Sequence, residues 1–298
     1  MYDFKLTYVS NLRANLLVNE QVVNVHAMKK TITVGLLASI ALGLAVFSCN
    51  TADPLMAPVE TGRLRVAFDN IAGTSDLILN SGTYQNAVGE SFAVTKFNYF
   101  VSNIRLRKAD GSDYVVPQDS SYFLVQEEKL TSQTSTLSGI PTGNYTGIMF
   151  TVGVDSLRSL ANISKRTGVL DPGLNDGMYW EWNSGYIFLK LEGTSAVAPA
   201  AQNNAFYYHI GGFGGGYDGK KTINNLRTIT VPFKTDVVNV QTNMTPSVQL
   251  KADVLALFNG STKLSIAQNP SVMFDTYSTS ISDNYAKMFS YDRVQGNQ

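Results

Sequence analysis

The sequence predicts an all-β protein: an antiparallel β-sandwich with long loops and one or two short helices. Three observations carry that prediction. Runs rich in β-branched and aromatic residues recur at fairly regular spacing, turn residues separate them, and helical periodicity is rare. No internal repeat or linker divides the region after residue 61, so one domain is expected there, at residues 62–298.

The stretch before that domain has a different character. Residues 1–27 carry no targeting pattern, and the natural start is expected at Met28. Lys29 and Lys30 form a basic n-region, Thr31 to Phe47 an apolar h-region, and Val46-Phe-Ser-Cys49 a lipobox. A short apolar run ending at a small residue and a cysteine reads as a cleaved signal peptide over residues 28–48. Cys49, the only cysteine of the chain, is then the lipidated first residue of an exported lipoprotein. Its acyl chains anchor it to membrane at about 0.8 kcal/mol per buried CH₂. Residues 49–61 make a polar, proline-bearing tether. The expected location is the cell envelope, on the outer membrane, facing either the periplasm or the surface.

Processing changes the charge balance. The 298-residue chain has 23 basic and 23 acidic residues. Removing residues 1–48 takes away Lys5, Arg13, Lys29 and Lys30 against Asp3 and Glu20, so a small acidic excess remains. That balance excludes a basic nucleic-acid face, and the membrane partner is reached through the lipid anchor rather than by charge. His26 is lost too, which leaves His209 as the solitary imidazole.

In order along the domain, strands are expected at Leu64 to Phe68, Phe92 to Leu106, Tyr114 to Val116, Ser121 to Gln126 and Gly143 to Gly153. They continue at Gly185 to Glu192, Phe206 to Ile210, Leu226 to Phe233 and Ser247 to Val254. In the second of these the inward positions switch from odd to even after Val101, which predicts a bulge. Asp253 to Phe258 and Ile281 to Phe289 read as short helices. Two loops exceed what the strand spacing needs: Asp155 to Gly177, with Arg158, Asn162, Lys165 and Arg166, and the glycine-rich Phe213 to Gly219. Long loops are where all-β domains usually bind ligands.

The chain's densest aromatic stretch is Met178-Tyr-Trp-Glu-Trp-Asn-Ser-Gly-Tyr186, holding both tryptophans, Trp180 and Trp182. Such density makes it either the heart of a core or the floor of a site. Strand alternation places Tyr207 and His209 on one face, with Phe206, Tyr208 and Ile210 on the other. His209 is then either a hydrogen-bonded structural residue or a ligand. One histidine without a free cysteine cannot build an ordinary zinc site, whereas Cu(I) accepts imidazole with thioether, and Met178 adjoins the tryptophans. Catalysis has little to stand on. A Ser-His-Asp triad would depend on His209, and a nucleophile elbow is missing, with Gly89-Glu-Ser-Phe-Ala93 the nearest approach. Carboxylate pairs such as Asp176 with Glu181, or Glu181 with Glu192, have no separation that sequence can set. No enzyme is expected.

These segments resemble the MbnP-like copper-binding domain, a family found in exported proteins of methane oxidisers and in many Bacteroidetes lipoproteins. The resemblance rests on Gly153-Val-Asp155, Leu170-Asp-Pro172, Met178 to Gly193, Tyr208-His-Ile-Gly-Gly212, Asn225-Leu-Arg-Thr-Ile229 and Asp283 to Phe289, within roughly residues 63–294. It implies a β-sandwich that binds copper outside the cytoplasm, where a tryptophan oxidised to kynurenine acts together with histidines. Carried over by position, it implies Trp180 as the modified residue and His209 as a ligand, beside Met178. A second expectation, from another class, is a metal-free surface lipoprotein. It would meet a carbohydrate or protein partner through Tyr179, Trp182, Tyr186 and the glycine-rich loop.

Overall fold

The computed structural model describes residues 58–182, 185–216 and 218–296. The leader and Cys49 lie outside these residues. Among the described residues, no helix is long and apolar enough to cross a membrane.

Among the described residues, fifteen strands follow one another in chain order. They begin with β1 (Thr61–Ala72), β2 (Ser75–Asp76), β3 (Tyr84–Gln85), β4 (Ser91–Lys108) and β5 (Asp113–Val115). Next come β6 (Tyr122–Gln126), β7 (Thr134–Pro141), β8 (Gly143–Val152), β9 (Ile187–Thr194) and β10 (Ala205–Gly211). The last are β11 (Arg227–Pro232), β12 (Val238–Val240), β13 (Ser247–Asp253), β14 (Ser271–Val272) and β15 (Phe289–Gln295). Three helices join them: α1 (Ser156–Ser159), α2 (Val254–Phe258) and α3 (Thr276–Tyr285).

A five-stranded sheet is built on β1, which is flanked by β13 and β7, touches β2 at its end, and is extended by β15 beyond β13. A ten-stranded sheet is built on β4, which pairs with β3, β5, β6, β8 and β9. The strand β10 joins it beside β9. Alternation explains the smaller sheet: in β1, Leu64, Val66 and Phe68 are buried while Arg63 and Arg65 face solvent. The centre of β4, from Phe97 to Ser102, is buried on both faces, as is β9 from Ile187 to Leu191. These strands are therefore covered on their outer side as well.

Between the sheets sits the main core. Phe68 of the small sheet meets Tyr99 and Phe150 of the large one edge-on, with ring centroids 6.1 and 5.8 Å apart. A second cluster, with Phe100, Tyr122, Leu124, Met178, Trp180, Tyr186, Phe188 and Phe213, packs separately. Phe97 and Tyr99 belong to the main core while Phe100 belongs to this second cluster, so strand alternation puts it on the outer face of the large sheet.

The all-β sandwich is as expected, with three differences. Two pairings are parallel, β1 with β13 and β10 with β14. The first becomes possible because a connection running through the large sheet separates β1 from β13. There are three short helices, not one or two, and α3 begins at Thr276 and ends at Tyr285, because Asp275 caps it through the N–H groups of Tyr277 and Ser278. The strands β7 and β15 were not expected; the polar alternation of Thr134-Ser-Thr-Leu-Ser138 hides the first. The bulge in β4 is present: the register with β8 shifts between Ser102 and Arg105, and Asn103 adopts a left-handed φ of 52°.

Candidate functional site

The aromatic stretch folds as a tight hairpin leading into β9. Ile187 N donates to Met178 O at 3.0 Å, Tyr179 bridges Tyr186, and Trp180 N donates to Gly185 O at 2.8 Å. Burial then separates its side chains. Met178 and Tyr186 are fully buried, and the Tyr186 hydroxyl donates to Leu170 O at 2.5 Å. Tyr186, expected on a contact face, is thus enclosed: its ring packs edge-on against Phe100 at 5.6 Å and fills the second cluster. Tyr179 is half-buried, accepts a hydrogen bond from Arg166 Nη1 at 2.8 Å and lies under that guanidinium. Arg166 therefore ties the long loop to the hairpin.

The two indoles stack on each other with centroids 4.9 Å apart and planes 28° from parallel. Trp180 is 9% exposed and Trp182 is 47% exposed, so the inner ring serves as a base for the outer one. Phe274 supports Trp182 edge-on at 5.9 Å. Beneath them run Gly211 and Gly212. A Cβ at Gly211 would lie 2.7 Å from Trp180 Cζ3 and 2.5 Å from Tyr186 O, and one at Gly212 would lie 2.5 Å from the Phe274 ring. Only glycine lets the rings settle on the strand. Asn225 holds this backbone from below, donating from Nδ2 to Gly211 O at 2.7 Å and to Ser278 Oγ at 2.8 Å.

His209 stands on the same strand, two residues before Gly211. Phe206, Tyr208 and Ile210 face the main core, so His209 and the Trp180 contact at Gly211 share the outer face of the sheet. Two residues along a strand span about 7 Å. The imidazole is directed along the sheet: Nε2 lies 2.8 Å from Glu192 Oε1, and the ring faces Tyr207 edge-on at 6.1 Å. The hydrogen bond with His209 holds the Glu192 carboxyl below the ordinary carboxylate range, against the opposing effect of burial. Opposite His209 in register is Lys190, buried apart from its ammonium contact to Gly177 O at 2.7 Å. Burial lowers the Lys190 pKa, partly offset by the charge of Glu192.

Donor chemistry tests the implied copper site. An intact indole N–H donates only, and the Met178 thioether is enclosed in the second cluster. Among the described residues, no group of three His, Cys, Asp or Glu side chains is placed to hold a metal ion. The residues therefore do not fit a closed centre with several histidines. What they present is one imidazole paired with a carboxylate, on the strand against which Trp180 packs two residues further on.

Sequence reasoning named Glu192 only as half of a carboxylate pair, and missed Lys190, Gly211, Asn225 and Phe274 as parts of the site. Lys190 and Glu192 were detectable: two charges at alternating positions of an otherwise apolar strand mark a polar outer face. Phe274 and Asn225 are remote in sequence from the tryptophans and carry no local sign of their role.

Comparison with known proteins identifies the family. The family model described as MbnP matches residues 61–274. The chain belongs to the MbnP family. A solved structure, MbnP from Methylosinus trichosporium, aligns with 16% identity and a TM-score of 0.49, covering 69% of this chain and 80% of that one. No curated protein matches the chain.

Proposed function

We propose that this member of the MbnP family is an exported, non-enzymatic binding protein, anchored to the envelope through Cys49. Its ligand is taken on the outer face of the large sheet. One observation carries this reading: strand alternation puts His209 on the same outer face of β10 as Gly211, two residues on, where Trp180, the inner ring of the indole stack, packs. Family membership supports copper as the ligand, with the His209 imidazole as its nitrogen donor. A copper ion here has a single histidine, so weak and readily exchanged binding is expected. In the experiment, Cu(I) is titrated into the purified protein against a competing chelator, and the affinity is compared with that of His209→Ala. Affinity lost in the variant supports the reading; equal affinity removes His209 from the site. Intact mass after native expression tests the tryptophan, because oxidation to kynurenine adds about 4 Da.

A second reading is favoured by the 47% exposure of Trp182, stacked on one side and braced by Phe274 on another. A flat, rigid, half-exposed ring suits a sugar ring or an apolar protein side chain. Binding of a glycan or protein partner that is lost in Trp182→Ala, yet kept in His209→Ala without copper, favours the metal-free surface lipoprotein.

A further inference from the structure

We propose that a groove of about 640 Å³ between the turn at Gln118–Ser120 and the long loop takes a small organic carboxylate, with Arg158 as anchor and Asp119 as a built-in competitor. The site is separate from the tryptophan face and does not depend on the copper reading.

The guanidinium of Arg158 is positioned from two sides. Its carbon lies 5.1 Å from the centre of the Tyr122 ring, and Nη1 donates to Lys165 O at 2.8 Å. Its remaining edge, Nη2, meets Asp119 Oδ1. The two partners differ in setting: the Arg158 side chain is 14% exposed, while that of Asp119 is 87% exposed. A fixed, largely desolvated guanidinium thus has its outward edge closed by a carboxylate that water surrounds. Water screens the Asp119 end of that pair, so an incoming carboxylate can take its place on the guanidinium edge. The guanidinium fork suits a carboxylate in two-point contact.

The rest of the groove fits an organic body. Tyr122, Phe123 and Val169 offer apolar surface, and Ser164 and Thr167 offer hydroxyls. The volume is in the range that holds small molecules. The nearest internal carboxylate, Asp155, is already satisfied by Tyr122 Oη at 2.6 Å, Asn103 Nδ2 at 3.1 Å, Gln118 Nε2 at 3.2 Å and Arg158 N at 3.1 Å. It keeps Tyr122 in place under the guanidinium without competing for the edge that Asp119 closes.

The test titrates the full-length chain with benzoate and, as neutral control, benzamide, by ligand-observed NMR. Binding of benzoate over benzamide is expected. Asp119→Asn should tighten benzoate binding at least threefold, because the competitor is gone, and leave benzamide unchanged. Arg158→Lys should weaken benzoate at least tenfold while the thermal midpoint holds within a few degrees, which separates loss of the fork from loss of the fold. If Asp119→Asn leaves benzoate affinity unchanged or lowers it, or if benzoate and benzamide bind alike, the proposal is overturned.

Discussion

The two faces of β10 show how this molecule divides its labour. Phe206, Tyr208 and Ile210 point into the sandwich, where rings from both sheets interlock. Tyr207, His209 and Gly211 point outward, toward the His209–Glu192 hydrogen bond and an indole stack. The same seven residues therefore serve as core on one side and as site on the other. A site built on a strand whose reverse face is locked into a core inherits that core's rigidity, and a loop could not supply this.

The comparison can be broken most sharply from the inner face. Phe206→Ala removes a fully buried ring that touches Phe92, Tyr208 and Phe258, and should cost about 3–5 kcal/mol, read by chemical denaturation. From the outer face the largest effect is expected at Gly211→Ala. The added methyl meets a backbone carbonyl and an indole at once, for a loss of about 1–3 kcal/mol and a shift in tryptophan emission as Trp180 is lifted. Equal costs for the two variants would deny that the faces differ.

A third test uses pH. Glu127 links the sheets: its Oε2 accepts from Asn70 Nδ2 at 2.8 Å, and Asn70 Oδ1 accepts from the buried Tyr99 hydroxyl at 2.9 Å. Burial first, and then the charges of Asp76, Asp69 and Glu128, raise its carboxyl to about 7 from an ordinary 4.5, against the opposing hydrogen bond from Asn70. The folded chain holds this proton more tightly than the unfolded chain. The stabilisation is therefore full below about pH 4.5 and is lost as pH rises through about 7. After allowance for solvent screening it amounts to about 1–2 kcal/mol. Glu127→Gln should flatten that part of the stability profile. The smallest effect is expected at Glu192→Gln, where loss of the charge opposite His209 costs under about 1 kcal/mol yet changes copper affinity if the imidazole is the donor.

Much of this was legible in the chain. Alternation in Phe206-Tyr-Tyr-His-Ile210 separates the two faces without any structure, and the parity switch after Val101 marks the bulge at Asn103. The paired tryptophans were open to two readings, core or site. The structure gives one ring to each: Trp180 is nearly enclosed and Trp182 half-exposed. Tyr186 and Met178 could not be sorted by composition, because a hairpin register determines which side each faces.

By itself the sequence determined what is local: strand periodicity, the face of β10 on which His209 lies, and the family to which these motifs point. The tertiary structure alone decided what is distant. It set the parallel pairing of β1 with β13, laid Trp180 on Gly211, aimed His209 at Glu192 and closed Arg158 with Asp119. The physical reason is that side-chain periodicity is written every two residues along a strand, whereas partners 17 to 180 residues away are chosen only when whole sheets pack.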